Sequence, residues 1–459
     1  MKNSPVIILG AGITGLSTAW YLEKKGFTDI QIIDASDRAG GKVETLYEDG
    51  FMIENGPDSF VVTKPFALDL IKELGLEDEL IAPKTNRFFI LKNGKLVSSP
   101  KGLNMMVPTD LFPFLESRFF SWPAKHRILQ ESIIHPNDME GDESFADFII
   151  RRFGEEMLDL YAGPLFTGIY ATPAEELSLN ATFPMLKKME QEYGSISRAM
   201  KKQHQRSPNS SRSTFLGLKR GMQSLTDAIV GKLHHSTIHF NTKVLELVSE
   251  KGQYHVKSEN GQQFTASNLV VTLPANIAKS LISHLSPEAS RILSGFTSSS
   301  SRIVTLAYQK EHISDPLLAT GFVSAMYEET AVSSSTWPDS KWEGRAKEGY
   351  ATLRCFMGKG EKFLSYTNDE LIHAAHEEMS RLLGISSAPE YYWVNRLDNA
   401  LPQYKVGHLD QVDALKQAVS SLPGLCVAGA YIHGVGLPDC IKQGKDAADS
   451  VALSENQYI

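Results

Sequence analysis

Three glycines near the N-terminus have the spacing of a dinucleotide-binding turn. The motif is Gly10-x-Gly12-x-x-Gly15, and Asp34 follows 24 residues after Gly10. In such a turn the first glycine permits the bend, the second lets the backbone approach a pyrophosphate, and the third allows close helix–strand packing. Free amides at the start of the next helix favour phosphates, and the carboxylate accepts hydrogen bonds from ribose hydroxyls. The spacing therefore predicts a dinucleotide site.

Two further glycine-rich segments indicate which dinucleotide to expect. Arg38-x-Gly40-Gly41-Lys42 resembles the second flavin motif of the glutathione-reductase and amine-oxidase superfamily. Residues 429–439 (Gly-Ala-Tyr-Ile-His-Gly-Val-Gly-Leu-Pro-Asp) lie between a predicted strand and a predicted helix. In that superfamily such a helix directs its N-terminus at the flavin N1–C2=O edge, which becomes negative on reduction. The expected cofactor is FAD.

The elements that position these glycines have an α/β pattern. Residues 5–34 predict strand, turn, helix and strand, because a continuous apolar run is typical of a buried parallel strand. At the other end, a strand at 425–428 leads into the C-terminal turn, and Pro438 suits the first turn of the last helix. We predict an FAD-binding Rossmann-like domain of the glutathione-reductase or amine-oxidase type, with a substrate domain and a helical region.

The length of 459 residues predicts two or three domains. We expect a discontinuous FAD-binding domain, a mainly helical region and a mixed α/β substrate-binding region. In that order they comprise residues 1–85, 215–284 and 396–459; residues 86–214; and residues 285–395.

Composition excludes several classes of function. A net charge of −8 argues against nucleic-acid binding, which needs a basic surface. Three cysteines without metal-ligand spacing predict no metal site and a reduced, cytoplasmic setting. We find no signal peptide and no apolar run long enough to span a bilayer, so at most peripheral membrane contact is expected. The aromatic segment 111–122 favours a core face or a substrate pocket over a membrane surface.

The motifs taken together resemble one family, the bacterial protoporphyrinogen/coproporphyrinogen III oxidases of haem biosynthesis. The last motif most closely resembles the Gram-positive branch, whose members act on coproporphyrinogen III. The matching segments are Gly10–Gly15, Gly40–Lys42, Gly56-Pro-Asp-Ser-Phe60, Gly168-Ile-Tyr-Ala171 with Leu177-Ser178, Leu401-Pro-Gln-Tyr404 and Gly434-Val-Gly-Leu-Pro-Asp-Cys-Ile441.

The resemblance implies non-covalent FAD, because no cysteine stands where amine oxidases attach the flavin. At Leu397, relatives often carry a tryptophan, so any stacking contact of that tryptophan is lost. The residues expected to bind the cofactor are Gly10, Ala11, Gly12, Ile13, Thr14, Gly15, Asp34, Ala35, Arg38, Gly41, Lys42, Gly56, Pro57, Asp58, Ser59, Val244, Leu397, Val435, Gly436 and Leu437.

The resemblance also implies oxygen-dependent oxidation of coproporphyrinogen III, with hydrogen peroxide formed and protoporphyrinogen IX accepted as well. Such chemistry needs positioning and a cofactor more than an acid–base pair, so no catalytic side chain is predicted. Arg87 aligns with an arginine that binds a propionate in several relatives, and Lys64 is a second candidate. Gly168 would let its carbonyl approach the macrocycle. A surface arginine and a plain turn glycine are the alternatives.

Two other functions stay open at the level of sequence. One is a flavin amine oxidase or carotenoid-type desaturase, although we see no clear counterpart to the aromatic pair and lysine that an amine oxidase places at its flavin. The other is a non-catalytic FAD-binding partner protein. Transfer of the product to the next haem-pathway enzyme is a further expectation of the family resemblance.

Overall fold

A five-stranded parallel sheet brings both ends of the chain together. In the computed structural model, which describes residues 4–100, 102–104, 106–137, 141–206, 214–358 and 361–456, the first strand Val6–Leu9 lies at its centre and is fully buried. Continuous apolar strands of this kind are expected where both faces of a parallel sheet are covered. The order across the sheet is Ser236–His239, Ile30–Ile33, Val6–Leu9, Asn268–Val271 and Leu425–Val427.

The first and last helices pack against each other on one face of this sheet. They are Ile13–Lys24 and Leu437–Asn456. A side chain at Gly444 would come within 2.6 Å of the Thr14 carbonyl oxygen, so the glycine lets the two backbones approach closely. The C-terminal part of the chain therefore lies directly beside the N-terminal glycine turn.

A seven-stranded sheet forms the second layer of the molecule. All its neighbours are antiparallel except Gly321–Ser324 and Phe89–Lys92, which run parallel. Helix Asn368–Leu383 covers one face with its buried apolar side chains. The order is Tyr391–Pro402, Ser298–Gln309, Tyr350–Met357, Val332–Thr336, Gly321–Ser324, Phe89–Lys92 and Lys95–Ser98.

This sheet crosses the predicted boundaries between the parts of the chain. Strands Phe89–Lys92 and Lys95–Ser98 come from the region predicted to be mainly helical, and Tyr391–Pro402 runs across the boundary at 395. A hairpin that adds to a distant sheet has no local signal that identifies its partner. The division into three parts remains a prediction.

The helical region has its own core, in which Phe114, Phe119 and Phe120 are buried. Phe112 and Trp122 in the same aromatic segment are 81% and 69% exposed. The helices are Leu111–Glu116, Trp122–Leu129, Phe145–Phe153, Glu155–Met157, Gly163–Tyr170, Leu179–Thr182, Pro184–Tyr193 and Ile196–Arg206, with a π-turn at Leu158–Ala162.

The remaining elements connect these layers. The other strands are Thr45–Glu48, Phe51–Glu54, Phe60–Val61, Leu80–Ile81, Leu103–Asn104, Val107–Pro108, Phe215–Leu218, Val244–Glu250, Gln253–Ser258 and Gln263–Ala266. The other helices are Phe66–Glu73, Gln223–Lys232, Ala275–Ile282, Pro287–Leu293, Pro338–Lys341 and His408–Ser420, and short 3₁₀ turns are Glu77–Glu79, Gln130–Ile133, Lys310–His312 and Glu361–Leu364. Within the described ranges, no helix combines the length and apolar character needed to cross a membrane.

Candidate active site

The two N-terminal glycine motifs meet at the end of the parallel sheet. Gly12 and Gly40 form an isolated bridge, and the Gly40 amide donates to the Ala11 carbonyl at 2.9 Å. A Cβ at Gly15 would overlap the Gly10 carbonyl oxygen, as expected of the glycine that seats the helix on the strand. A Cβ at Gly12 would meet no protein atom within 4 Å. Free space therefore lies beside the amides that begin helix Ile13–Lys24.

The carboxylate of Asp34 lies beside the same turn. One oxygen accepts the Ala11 amide at 2.6 Å, and the other accepts the amide and hydroxyl of Ser36 at 2.8 and 2.5 Å. The backbone carbonyl of Asp34 accepts the Thr242 amide at 2.8 Å, which places the strand that starts at Val244 next to it. Asp34 and the start of the Val244–Glu250 strand therefore lie on the same side of the glycine turn; their contacts with FAD stay a prediction.

Arg38 holds the second glycine loop in place. Its Nε pairs with Glu44 at 2.8 Å, and Nη2 donates to the Gly41 carbonyl at 2.6 Å. Nη1 donates to the carbonyls of Ala39 and Val43, both at 3.2 Å. Most of the guanidinium donors are therefore used within the loop itself, and Arg38 shapes the loop from inside.

Lys42 links the second glycine loop to the edge strand of the seven-stranded sheet, because its Nζ donates to the Ala400 carbonyl. Burial lowers the pKa of Lys42, and the nearby thiol of Cys440 partly opposes that shift. On the same strand, Asn395 donates to the Asn55 carbonyl at 2.7 Å. Leu397 is two residues further on and faces the same side of the strand.

The Gly-Pro-Asp-Ser loop, residues 56–59, packs against the second glycine loop and is held by an ion pair. A Cβ at Gly56 would overlap the Lys42 carbonyl oxygen, so only glycine fits there. Asp58 is paired with Lys341, whose Nζ lies 2.7 Å from its Oδ2. Burial alone would raise the pKa of Asp58, but the charge and hydrogen bond of Lys341, aided by Arg354, outweigh it and hold the pKa well below its usual range.

The C-terminal turn is fixed from below by side chains of the 404–443 segment. The Tyr404 hydroxyl donates to the Ala430 carbonyl at 2.6 Å, and His408 Nε2 bonds to the Ile432 carbonyl at 3.0 Å. The side-chain amide of Gln443 accepts the Gly429 amide at 3.1 Å and donates to the His433 carbonyl at 3.0 Å. Four hydrogen bonds therefore hold the turn in place before Leu437 begins the last helix.

The three predicted substrate contacts lie in different surroundings. Lys64 Nζ contacts both carboxylate oxygens of Asp439, at 2.6 and 2.8 Å, in the first turn of the last helix. The Arg87 side chain is exposed, and its carbonyl accepts the Thr320 amide at 2.8 Å. Gly168 lies within helix Gly163–Tyr170 and not in a turn; the approach of its carbonyl to a substrate stays a prediction.

Sequence reasoning missed the residues that hold these loops from behind: Tyr404, His408 and Gln443 under the C-terminal turn, and Lys341, Trp342 and Arg354 under the Gly-Pro-Asp-Ser loop. Of these, only Tyr404 belongs to a motif that the sequence shows, the Leu401–Tyr404 segment. The other contacts join residues far apart in the chain.

Comparison with known proteins identifies the family. Residues 13–452 match the family model of flavin containing amine oxidoreductases. The chain belongs to this family. The oxidoreductase is 35% identical to coproporphyrinogen III oxidase of Bacillus subtilis over 98% of both chains, and 33% identical to that of Staphylococcus aureus over 97% of this chain and 98% of the relative. A crystal structure from Exiguobacterium sp. 255-15, described as a protoporphyrinogen oxidase, has a TM-score of 0.88 at 31% identity and 99% coverage of each chain.

FAD is the cofactor of this oxidoreductase, and the site fits it. Space beside Gly12, free amides at the start of the first helix and the Asp34 carboxylate provide for the pyrophosphate and a ribose. The predicted family, the α/β fold and the cofactor are confirmed. Each single residue contact with FAD or substrate remains a prediction.

Proposed function

We propose that this oxidoreductase converts coproporphyrinogen III to coproporphyrin III in porphyrin and haem biosynthesis. The observation that carries the proposal is full-length similarity to two coproporphyrinogen III oxidases at 35% and 33% identity. A chloroplast protoporphyrinogen oxidase from Nicotiana tabacum is 29% identical. We expect protoporphyrinogen IX, which has two propionates instead of four, to be accepted as a second substrate.

When bound, FAD supplies the acceptor for two electrons at a time. Three such steps remove six electrons and six protons from the porphyrinogen, and three molecules of oxygen are each reduced to hydrogen peroxide. The protein has to hold a meso carbon at the flavin and exclude water, which is chiefly a task of positioning. The proposal therefore needs no acid–base pair.

The surroundings of the C-terminal turn suit an apolar macrocycle. Val435 and Tyr170 are partly buried and both pack against the core of the helical region. The Tyr170 ring lies 5.5 Å from the ring of Tyr404, whose hydroxyl donates to the Ala430 carbonyl within the turn. These apolar and aromatic side chains support the exclusion of water beside the flavin edge.

We assign the propionates first to Arg87. Its exposed guanidinium forms no ion pair with any residue that the structure describes, so its donors are open to a bidentate carboxylate. Lys64 is the second candidate, although a propionate there has to replace Asp439. At Gly168 a Cβ would meet nothing within 4 Å, which leaves its surroundings open for the edge of a macrocycle.

We expect the protein to act in the cytoplasm and to pass its product to the next enzyme of the haem pathway. The net charge of −8 gives no support to a nucleic-acid partner. Phe112 and Trp122, which the sequence favoured for a core face or a substrate pocket, are exposed instead, and we expect at most peripheral contact with a membrane surface.

The test is to mix the purified, FAD-loaded protein with coproporphyrinogen III in air and to follow porphyrin fluorescence. Protoporphyrinogen IX is run in parallel, and heat-denatured protein measures autoxidation. Faster fluorescence growth on the four-carboxylate substrate supports the proposal. Fluorescence growth at the autoxidation rate on both substrates contradicts it. Oxidation of amines or polyenes would then indicate an amine oxidase or a desaturase. No turnover of any of these substrates would indicate a non-catalytic FAD-binding protein.

A further inference from the structure

A buried group of side chains holds the Gly-Pro-Asp-Ser loop from the side of the seven-stranded sheet. We call Asp58, Lys341, Trp342 and Arg354 the anchoring group. Lys341 Nζ donates to both carboxylate oxygens of Asp58, at 2.7 and 2.9 Å, and Trp342 Nε1 donates to one of them at 3.3 Å. Arg354 Nη2 donates to the carbonyl of Gly56 at 2.8 Å. All these bonds end on the loop.

The cations of the anchoring group have fixed positions in the fold. Helix Pro338–Lys341 supplies one of them and strand Tyr350–Met357 supplies the other. Asp339 in the helix accepts both the amide and the hydroxyl of Thr352 in the strand, each at 2.8 Å. The helix and the strand therefore present their cations to the loop as one unit.

A contribution to the stability of the fold does not by itself explain the ion pair between Lys341 and Asp58. The side chains of Lys341 and Asp58 are only 15% and 17% exposed, and Arg354 is 6% exposed. Buried ion pairs contribute little to stability compared with apolar residues of similar volume, because both charges lose water. Removal of one partner, in contrast, leaves an unpaired buried charge. The arrangement fixes a conformation, and the conformation that it fixes belongs to a loop at the flavin site.

We propose that Lys341 and Arg354 are positioning residues for FAD, which act through the Gly-Pro-Asp-Ser loop and not by direct contact. In this arrangement the Asp58 carboxylate is used for anchoring, and the loop offers its backbone to the cofactor. The proposal goes beyond the proposed function, because it holds whichever substrate the oxidoreductase takes.

The experiment measures FAD affinity in Lys341→Met, Asp58→Asn and the double variant. Apoprotein is titrated with FAD, and the flavin spectrum and midpoint potential are recorded alongside the melting temperature of the apoprotein. We expect each single variant to weaken FAD binding at least tenfold, and the double variant to lose much less than the product of the two. Lys84→Met is the matched control, because Lys84 contacts the same short helix at the Asp339 carbonyl but not the loop.

The proposal would be overturned if the melting temperature of the apoprotein falls while the Kd for FAD stays within twofold of the unchanged protein and the flavin spectrum is the same. Strictly multiplicative losses in the double variant would also overturn it. Should Lys341→Met not fold, the same measurements are made on Arg354→Lys, which keeps the charge but alters the bond to Gly56. Because FAD affinity is read without substrate, these results are independent of porphyrinogen oxidation.

Discussion

At the scale of single residues, the glycines of the predicted cofactor site differ in what a side chain at each position would contact. A Cβ at Gly15 or Gly56 would overlap a backbone carbonyl oxygen, so the fold itself requires glycine at both positions. Gly12 is different, because a side chain there would touch no protein atom within 4 Å. The space at Gly12 is where we expect the pyrophosphate of FAD to lie, beside the start of the first helix.

This difference gives a prediction for Gly12→Ala. The variant should fold with the melting temperature of the unchanged apoprotein, since its backbone φ of −72° suits alanine. It should bind FAD at least tenfold more weakly, because the new methyl group takes space beside the pyrophosphate. Flavin absorbance after purification and an FAD titration check both parts. A variant that retains full flavin content would contradict the assignment.

A second residue-scale prediction concerns Arg87→Ala. A charge-assisted hydrogen bond contributes roughly 1.5–3 kcal/mol, so KM for coproporphyrinogen III should rise about tenfold or more while kcat changes little. Arg118→Ala removes another exposed arginine and serves as the control. Initial rates over a range of substrate concentrations separate the two constants. An unchanged KM would return Arg87 to the role of a surface arginine.

At the scale of elements, the C-terminal turn depends on the helix His408–Ser420 that lies beneath it. The His408 ring stacks on the Tyr404 ring at 4.0 Å, and both side chains bond to carbonyls of the turn. Burial lowers the pKa of His408 from the ordinary 6.5, an effect that its hydrogen bond to Ile432 only partly opposes. The neutral ring is therefore the form that supports the turn.

The position of His408 predicts a pH dependence of stability. Because the folded pKa is depressed, the unfolded chain binds more protons near pH 6.5, and the free energy of unfolding rises with pH. The contribution is fully present above that value and is lost as the pH falls below it. His408→Asn should reduce the difference in melting temperature between about pH 8 and about pH 5.5. His234→Asn, which replaces an exposed histidine, is the control.

At the scale of the whole molecule, the predictable parts are those with a local cause. The glycine turns and the first βαβ unit could be predicted because close backbone contacts at Gly15 and Gly56 demand glycine within a short segment. The pairing of Asp58 with Lys341 could not, because it joins residues 283 apart and no short motif records it. The strand Phe89–Lys92 was missed for the same reason, since its partner Gly321–Ser324 lies far along the chain.

Because the loops predicted to bind FAD come from both ends and the middle of the chain, FAD should stabilise the molecule as a unit. A ligand that binds only the folded state adds about 2.7 kcal/mol at a hundredfold excess over its Kd. The apoprotein should therefore unfold in a single transition, and its melting temperature should rise with the logarithm of the free FAD concentration. Gly12→Ala should need a correspondingly higher concentration for the same shift. Two transitions, only one of which responds to FAD, would show instead that the two large sheets unfold independently, and that the contacts of Lys42, Asn395 and Arg354 between them are weak.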